Sequence, residues 1–237
     1  GERRFAQPAH FKDRAEFEQR MLYPSFADHF ITPALAERVR AAGGQAWVMA
    51  LDVTDEASVQ RSVEATVQHF GRLDGAFNNA GQLGQGQPLH EMSTQAFEQV
   101  MRTNVMGVFW SMKHQIAAML RSGGGAIVNN ASVLGWRAQK EQAHYAAAKA
   151  GVMALTRCSA VEAAEHGVRI NAVSPSIALH DFLKKASSQE LLEQLASREA
   201  FGRAAEVWEV ANVMIFLASD YASYMVGEVL SVSSQQA

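Results

Sequence analysis

Two rhythms of apolar positions alternate along this chain. Short runs of consecutive apolar residues occur at AWVMALDV (46–53), at the start of LDGAFNNAG (73–81), and at AIVNNAS (126–132), VRINAVS (168–174) and GEVLSVSS (227–234). Runs of this length, rich in β-branched residues and bounded by turn formers, predict buried strands. Between them, apolar residues recur every three or four positions. Val59, Val63 and Val67 line one helix, and Phe97, Val100, Met101, Val105, Val108 and Met112 line a longer one predicted over 94–121. Further helices are predicted at 142–165 and 206–219, each with a stripe suited to packing on a sheet. Strands alternating with such helices predict βαβ units and a parallel sheet of four strands plus a terminal one.

Local signals sharpen the boundaries. Thr32-Pro33 reads as the cap and first position of the helix ALAERVRAA, which stops at Gly43-Gly44. Thr54 is expected to cap the next helix, with Asp55 and Glu56 in its first turn. Residues 176–204 read as a long loop or lid. The first 32 residues break the rhythm: FKDRAEFEQRML reads as an amphipathic helix, and no apolar β-branched run offers a first strand. The expected organisation is an atypical N-terminal segment, 1–32, and one α/β domain, 33–237. A rearranged opening, an alternative cap on a short sheet, or a partner-binding segment would each account for the first part.

Composition narrows the function. The chain has 237 residues, 48% hydrophobic and 19% charged, with a formal net charge of −3. That balance argues against a nucleic-acid surface, which would be basic. No stretch approaches the roughly 20 apolar residues of a membrane span. The first residues carry charge without an apolar core, so no secretory signal is expected. The single cysteine, Cys158, excludes an internal disulfide, fits a reducing cytosol and is expected in the core. The histidines are scattered, so no metal site is expected.

The candidate chemistry begins at a strand end, where ligands bind in open parallel sheets. Ser132 ends one predicted strand, and YAAAK follows at the start of a helix, with Tyr145 and Lys149 on one face. A tyrosine hydroxyl titrates near ~10, too high for a base at neutral pH. A lysine cation beside it would lower that value. A base so tuned can take a proton from an alcohol or return one to a ketone. Ser132 would hold the substrate oxygen. Asn104 interrupts an apolar helical face and, if buried, needs a partner; a water linking it to Lys149 would complete a proton path. Each residue alone has a bland reading: a turn serine, a packing tyrosine, a solvated lysine. Their shared spacing favours the site. His144 is expected on the surface, Trp136 and Phe182 either contact substrate or pack, and Asn78 and Asn79 either shape a loop or meet a cofactor. GQLGQG (81–86) reads as a flexible loop beside the substrate.

These residues resemble the short-chain dehydrogenase/reductase family. SVLGWRAQKEQAHYAAAKAG is similar to its active-site segment, NNAG (78–81) to the motif after its fourth strand, and RINAVSP (169–175) to the strand before its nicotinamide-contacting loop. The resemblance covers about residues 33–237. It implies a Rossmann-like doubly wound parallel sheet and an NAD- or NADP-dependent oxidoreductase. Catalysis would rest on Ser132, Tyr145, Lys149 and Asn104. The cofactor would meet Asp52, Val53, Asn79, Ala80, Gly81, Tyr145, Lys149, Pro175, Ser176 and Ile177, and the substrate Trp136 and Phe182. A cytoplasmic homodimer or homotetramer acting on a small molecule follows, with neither nucleic acid nor membrane as partner. The C-terminal half resembles an actinobacterial branch acting on CoA thioesters from steroid-ring degradation. The usual first βαβ unit, with its glycine-rich turn, is missing or replaced: no glycine stands between Gly1 and Gly43. Ser176 stands where the family has glycine, and Leu179-His180 where it has a cofactor-contacting threonine. A catalytically impaired relative serving as a binding or packing module is the competing reading.

Overall fold

A computed structural model describes residues 21–22, 33–179, 183 and 188–234. Five parallel strands lie in the order β1-β2-β3-β4-β5: Met21–Leu22, Gly75–Asn78, Gly125–Asn130, Val168–Pro175 and Val229–Val232. The helices are α1 (Pro33–Ala41), α2 (Glu56–Phe70), α3 (Thr94–Met101), α4 (Gly107–Ser122), α5 (Ala143–Ala164), α6 (Gln189–Ser197) and α7 (Val207–Ala218).

Alternation along β3 explains the layering. Ile127 faces a core with Met112 and Met119 of α4, Val152 and Met153 of α5, and Ile170. Ala126 and Val128 face the opposite core, with Val210, Met214 and Leu217 of α7. The sheet is therefore doubly wound. At its rim, Arg169 of β4 passes under the end of α7 and donates to the carbonyls of Leu217, Ala218, Ser219 and Ala222 at 2.8–3.2 Å. The Leu217 and Ala218 carbonyls, at the end of α7, lie beyond the reach of its amide ladder, those of Ser219 and Ala222 also accept the amides of Ala222 and Met225, and a cation suits the negative end of the helix.

The opening corrects the sequence reading. Met21–Leu22, assigned above to an amphipathic helix, pairs in parallel with Gly75 and Ala76 as the edge of the sheet. The predicted strand at 46–53 does not form. A strand needs a ladder partner along its length, and the edge strand β1 comprises only two described residues. Trp47 and Val48 are consequently exposed, Trp47 stacking on His69, while Leu51 and Val53 stay buried against Val59 and Trp110.

Smaller departures have local causes. Asp55, not Thr54, caps α2, accepting from the backbone of Ala57 and Ser58, because Thr54 is turned back onto Asp52. The long helix predicted over 94–121 is interrupted by a π-helical turn, Arg102–Met106. The expected lid contains α6, capped by Ser188. Cys158 is exposed rather than in the core. The Thr32 cap, His180 and Phe182 lie outside the described residues.

Replacing Arg169 by methionine is expected to lower unfolding free energy by about 3 kcal/mol, because it strands buried carbonyls. Urea denaturation at pH 7 measures this, and an unchanged midpoint would mean the four bonds contribute nothing net.

Candidate active site

Three strands end at one edge. β2 runs into Asn79–Gly81, β3 into Ser132, and β4 into Pro175–Ile177, so the parallel ladder brings separate motifs to one crevice. Ser132 has extended backbone, and its Oγ accepts from the Leu134 amide at 3.2 Å while pairing with the Tyr145 hydroxyl. Tyr145 and Lys149 follow in the first two turns of α5, with the lysine Nζ 5.5 Å from the centre of the tyrosine ring. Lys149 is buried, and its ammonium donates to the Asn130 carbonyl at 2.7 Å.

Burial dominates the electrostatics. It pushes the Lys149 ammonium down to about 8. It also pushes the Tyr145 phenol up, against the opposing effect of the Ser132 hydrogen bond. The tyrosine direction is the reverse of the one anticipated from the lysine's nearness: desolvation of the phenolate outweighs the opposing Ser132 hydrogen bond. The Asp52 carboxyl is held below its ordinary value by the Thr54 hydroxyl and amide.

Asn104 sits in the π-helical turn, fully buried. Its side-chain amide pairs with the backbone of Gln82 in both directions, accepting at 2.9 Å and donating at 2.7 Å. Both of its polar ends are engaged with that loop rather than with Lys149. The turn between them must be bare: a Cβ on Gly81 would stand 2.7 Å from Asn104 Oδ1 and 3.5 Å from Lys149 Nζ. Ala80 packs on the cluster that contains Val53. Gln82–Gln87 then folds over the start of α5, with Gln87 donating to the Glu141 carbonyl at 3.1 Å. Gly84 presses on His144, whose ring is wholly buried with neither nitrogen hydrogen-bonded. The surface expectation for His144 is therefore overturned: position 144 points between α3 and the loop, not outward. Trp136 is half exposed beyond the short turn Val133–Gly135. Ser176 and Ile177 are tied to β5 and to Ala205 by backbone bonds.

Two features escaped the sequence reading. Asn78 donates to Gln115 and Asn129, and Asn129 donates to Thr156, all buried between sheet and helices. Asn130 holds Asn79 as well as Lys149. The signal was the pair Asn129-Asn130 inside an otherwise apolar strand, since buried amides require partners.

A dinucleotide fits part of this crevice. A buried ammonium, an exposed carboxylate at Asp52 and a glycine that leaves room at Gly81 suit ribose and nicotinamide. Gly81–Gly86 does not supply a phosphate cradle: it ends well before α3, and Gly84 and Gly86 pack on His144 and Gln142. The stretch between β1 and α1, where a glycine-rich turn would stand, lies outside the described residues. Among the described residues, no group of acidic, histidine or cysteine side chains could hold a metal ion. No described helix is long and apolar enough to cross a membrane.

A doubly wound parallel sheet with serine, tyrosine and lysine gathered at its carboxyl edge defines a class of nicotinamide-dependent oxidoreductases. Residues 27–234 match the family model described as enoyl-(acyl carrier protein) reductase. The chain belongs to the short-chain dehydrogenase/reductase family. It is 58% identical over 185 residues, 78% of this chain and 70% of the relative, to the (5R,7aS)-5-hydroxy-7a-methyl-1-oxo-2,3,5,6,7,7a-hexahydro-1H-indene-carboxyl-CoA reductase of Mycobacterium tuberculosis. A crystal structure of a short chain dehydrogenase from Mycobacterium smegmatis aligns at TM-score 0.73 and 48% identity, covering 86% of this chain and 77% of that one. A 7α-hydroxysteroid dehydrogenase, complexed with NADH and 7-oxo glycochenodeoxycholic acid, aligns at TM-score 0.81 and 27% identity, covering 86% and 79%.

The Lys149 cation makes a stability prediction. A fall from 10.5 to about 8 amounts to about 3 kcal/mol of cost to the fold. The folded value is the lower one, so the cost is complete below pH 8, shrinks between the two values and vanishes above 10.5. Lys149→Met is expected to be more stable than the wild type at pH 7 by about 2 kcal/mol, after the lost hydrogen bond is deducted. The gap should close as pH rises from 8 to 10.5. Denaturant melts across that range test it, and a variant less stable at pH 7 would refute it.

Proposed function

We propose that this chain catalyses reversible hydride transfer between NAD or NADP and a secondary alcohol or ketone, carried on a CoA thioester of steroid-derived origin. The single observation that supports this most is the hydrogen-bonded Ser132–Tyr145 pair with the buried Lys149 ammonium beside the tyrosine ring. The substrate class follows the mycobacterial reductase that this chain resembles at 58% identity.

In this reading Ser132 donates its hydroxyl to the substrate oxygen and fixes the carbonyl against Tyr145. Tyr145 gives its proton to that oxygen in reduction and takes it back in oxidation. Burial keeps the phenol protonated, which suits the donor step; in the reverse step the Lys149 cation favours the phenolate. Asn104 holds the Gly81–Gln82 turn beside Lys149 and so fixes where a relay water stands. When bound, the nicotinamide supplies or accepts the hydride. Lys149 would hold its ribose. Asp52 and Val53 would meet the adenine, Asn79, Ala80 and Gly81 would line the groove, and Pro175, Ser176 and Ile177 would flank the nicotinamide. Trp136 and Phe182 would contact substrate.

Residues 33–237 form the functional domain in this reading, with 1–32 an atypical N-terminal segment. A homodimer or homotetramer is supported by Met106, Phe109, Leu120 and Val161, apolar residues exposed along α4, α5 and the turn before α4. We assign it to the cytoplasm, with no nucleic-acid partner.

Calorimetric titration with NADH and NADPH separately, at low salt, is the first test, followed by assay with a keto-acyl-CoA. Micromolar binding of one nucleotide is expected. Tyr145→Phe should keep that binding and lose at least about a thousandfold in kcat, consistent with removal of a general acid. A folded wild type that binds neither nucleotide would instead favour the impaired-relative reading.

A further inference from the structure

β2 and β3 run in register to Asn78 and Asn129, so the next residues, Asn79 and Asn130, stand side by side just beyond the ladder. The Asn130 side chain crosses this gap and donates to Asn79 Oδ1 at 2.6 Å. Its main-chain carbonyl, on the same residue, accepts the Lys149 ammonium at 2.7 Å. Asn79 in turn leads into Ala80, on the Leu51–Val53 cluster, and Gly81, beside Lys149. One residue thus joins the loop on the cofactor side to the group that governs proton transfer.

Stability does not explain an amide here. Asn130 Oδ1 is buried without a partner, whereas a leucine of similar volume would leave no orphaned acceptor. We propose that Asn130 is a positioning residue: by clasping Asn79 it fixes the last carbonyl of β3 on the Lys149 ammonium, and so couples the cofactor-side loop to the proton relay. The proposal rests on the catalytic reading of Lys149 but concerns bonds wholly within the chain. A buried ammonium gains most from an acceptor held in line with an N–H. The Asn130 peptide is held on its β4 side by the Ala131 amide on the Val173 carbonyl, so when the clasp on the β2 side opens it can only tilt about that bond, and the charged form of Lys149 loses part of its support. Tyr145 is the titratable neighbour that then feels the weaker cation.

The test follows the Lys149 titration directly, by NMR of protein carrying 13C at lysine Cε, with the signal assigned through Lys149→Met. Asn130→Leu removes the donor, and Asn79→Ala removes the acceptor from an exposed position that leaves the core intact. Each is expected to lower the Lys149 midpoint by about half to one pH unit, and the double variant by no more than either alone. Asn79→Asp keeps an acceptor oxygen and should leave the midpoint at or above wild type. A midpoint unmoved in Asn79→Ala, or shifts that simply add in the double variant, would overturn the clasp. Because no nucleotide is present, this result stands whether or not the NADH and NADPH titrations succeed.

Discussion

The structure depends on a small knot of amides at the centre of the sheet. Asn78 on β2 and Asn129 on β3 face the same layer and bond to each other. Asn78 exchanges bonds with Gln115 of α4, and Asn129 reaches Thr156 of α5. All four side chains are buried, so an unmade bond would carry its full desolvation cost. That asymmetry fixes the register of β2 on β3 and the seating of both helices at once. Asn104 leads into α4 and Tyr145 and Lys149 open α5, so their positions inherit the precision of the knot. Apolar packing alone would hold the layers together without choosing one register so strictly.

Much of this was legible from spacing. The short apolar runs and the period near four predicted the parallel sheet and its helices, and strand-end placement put Ser132 opposite Tyr145 and Lys149. What failed depended on partners that lie far away in sequence. The run 46–53 has every local mark of a strand, yet strands are a property of pairs, and its would-be neighbour is a two-residue β1. Met21–Leu22 shows the converse: two residues that the sequence pattern assigns to a helix form a strand because Gly75 and Ala76 offer a free edge. His144 was misplaced for a related reason. Its neighbours Tyr145 and Gln142 suggest a helix start near solvent, and only the fold-back of Gly81–Gln87 covers it. The direction of the Tyr145 shift was equally hidden, because a motif reports which charge is near but not how much water is excluded.

The crevice divides into two halves with different support. On the side of Ser132, Lys149 and Asn104 each polar group is held twice, by its own element and by a neighbour: Ser132 by Leu134 and Tyr145, Lys149 by α5 and Asn130, Asn104 by its turn and Gln82. On the far side, the segment 46–53 rests on a small cluster without a ladder. The pair Asp52-Val53 is fixed by Thr54, Ser58 and Trp110 rather than by a sheet. Precision therefore falls away from the Ser132–Tyr145 pair toward 46–53, in the order the proposed chemistry would tolerate: a proton must move across a hydrogen bond, whereas a ring can slide on an apolar surface.

Burial of Lys149 ties these observations together. A lysine near solvent would be cheaper for the fold but would be screened from Tyr145 by water. In the interior its field reaches the phenol, at the cost of a weakened hold on its own proton near pH 8. That ammonium has a well-aimed acceptor, the carbonyl of the last residue of β3, where the ladder to β4 continues but the ladder to β2 has ended. An arrangement of this kind ties Lys149 to the geometry of β3, and through the Asn130 side chain β3 is tied to Asn79. The same desolvation that endangers the lysine keeps Tyr145 protonated. Proton donation and cation retention are therefore set by one quantity, the exclusion of water from the edge where β2, β3 and α5 meet.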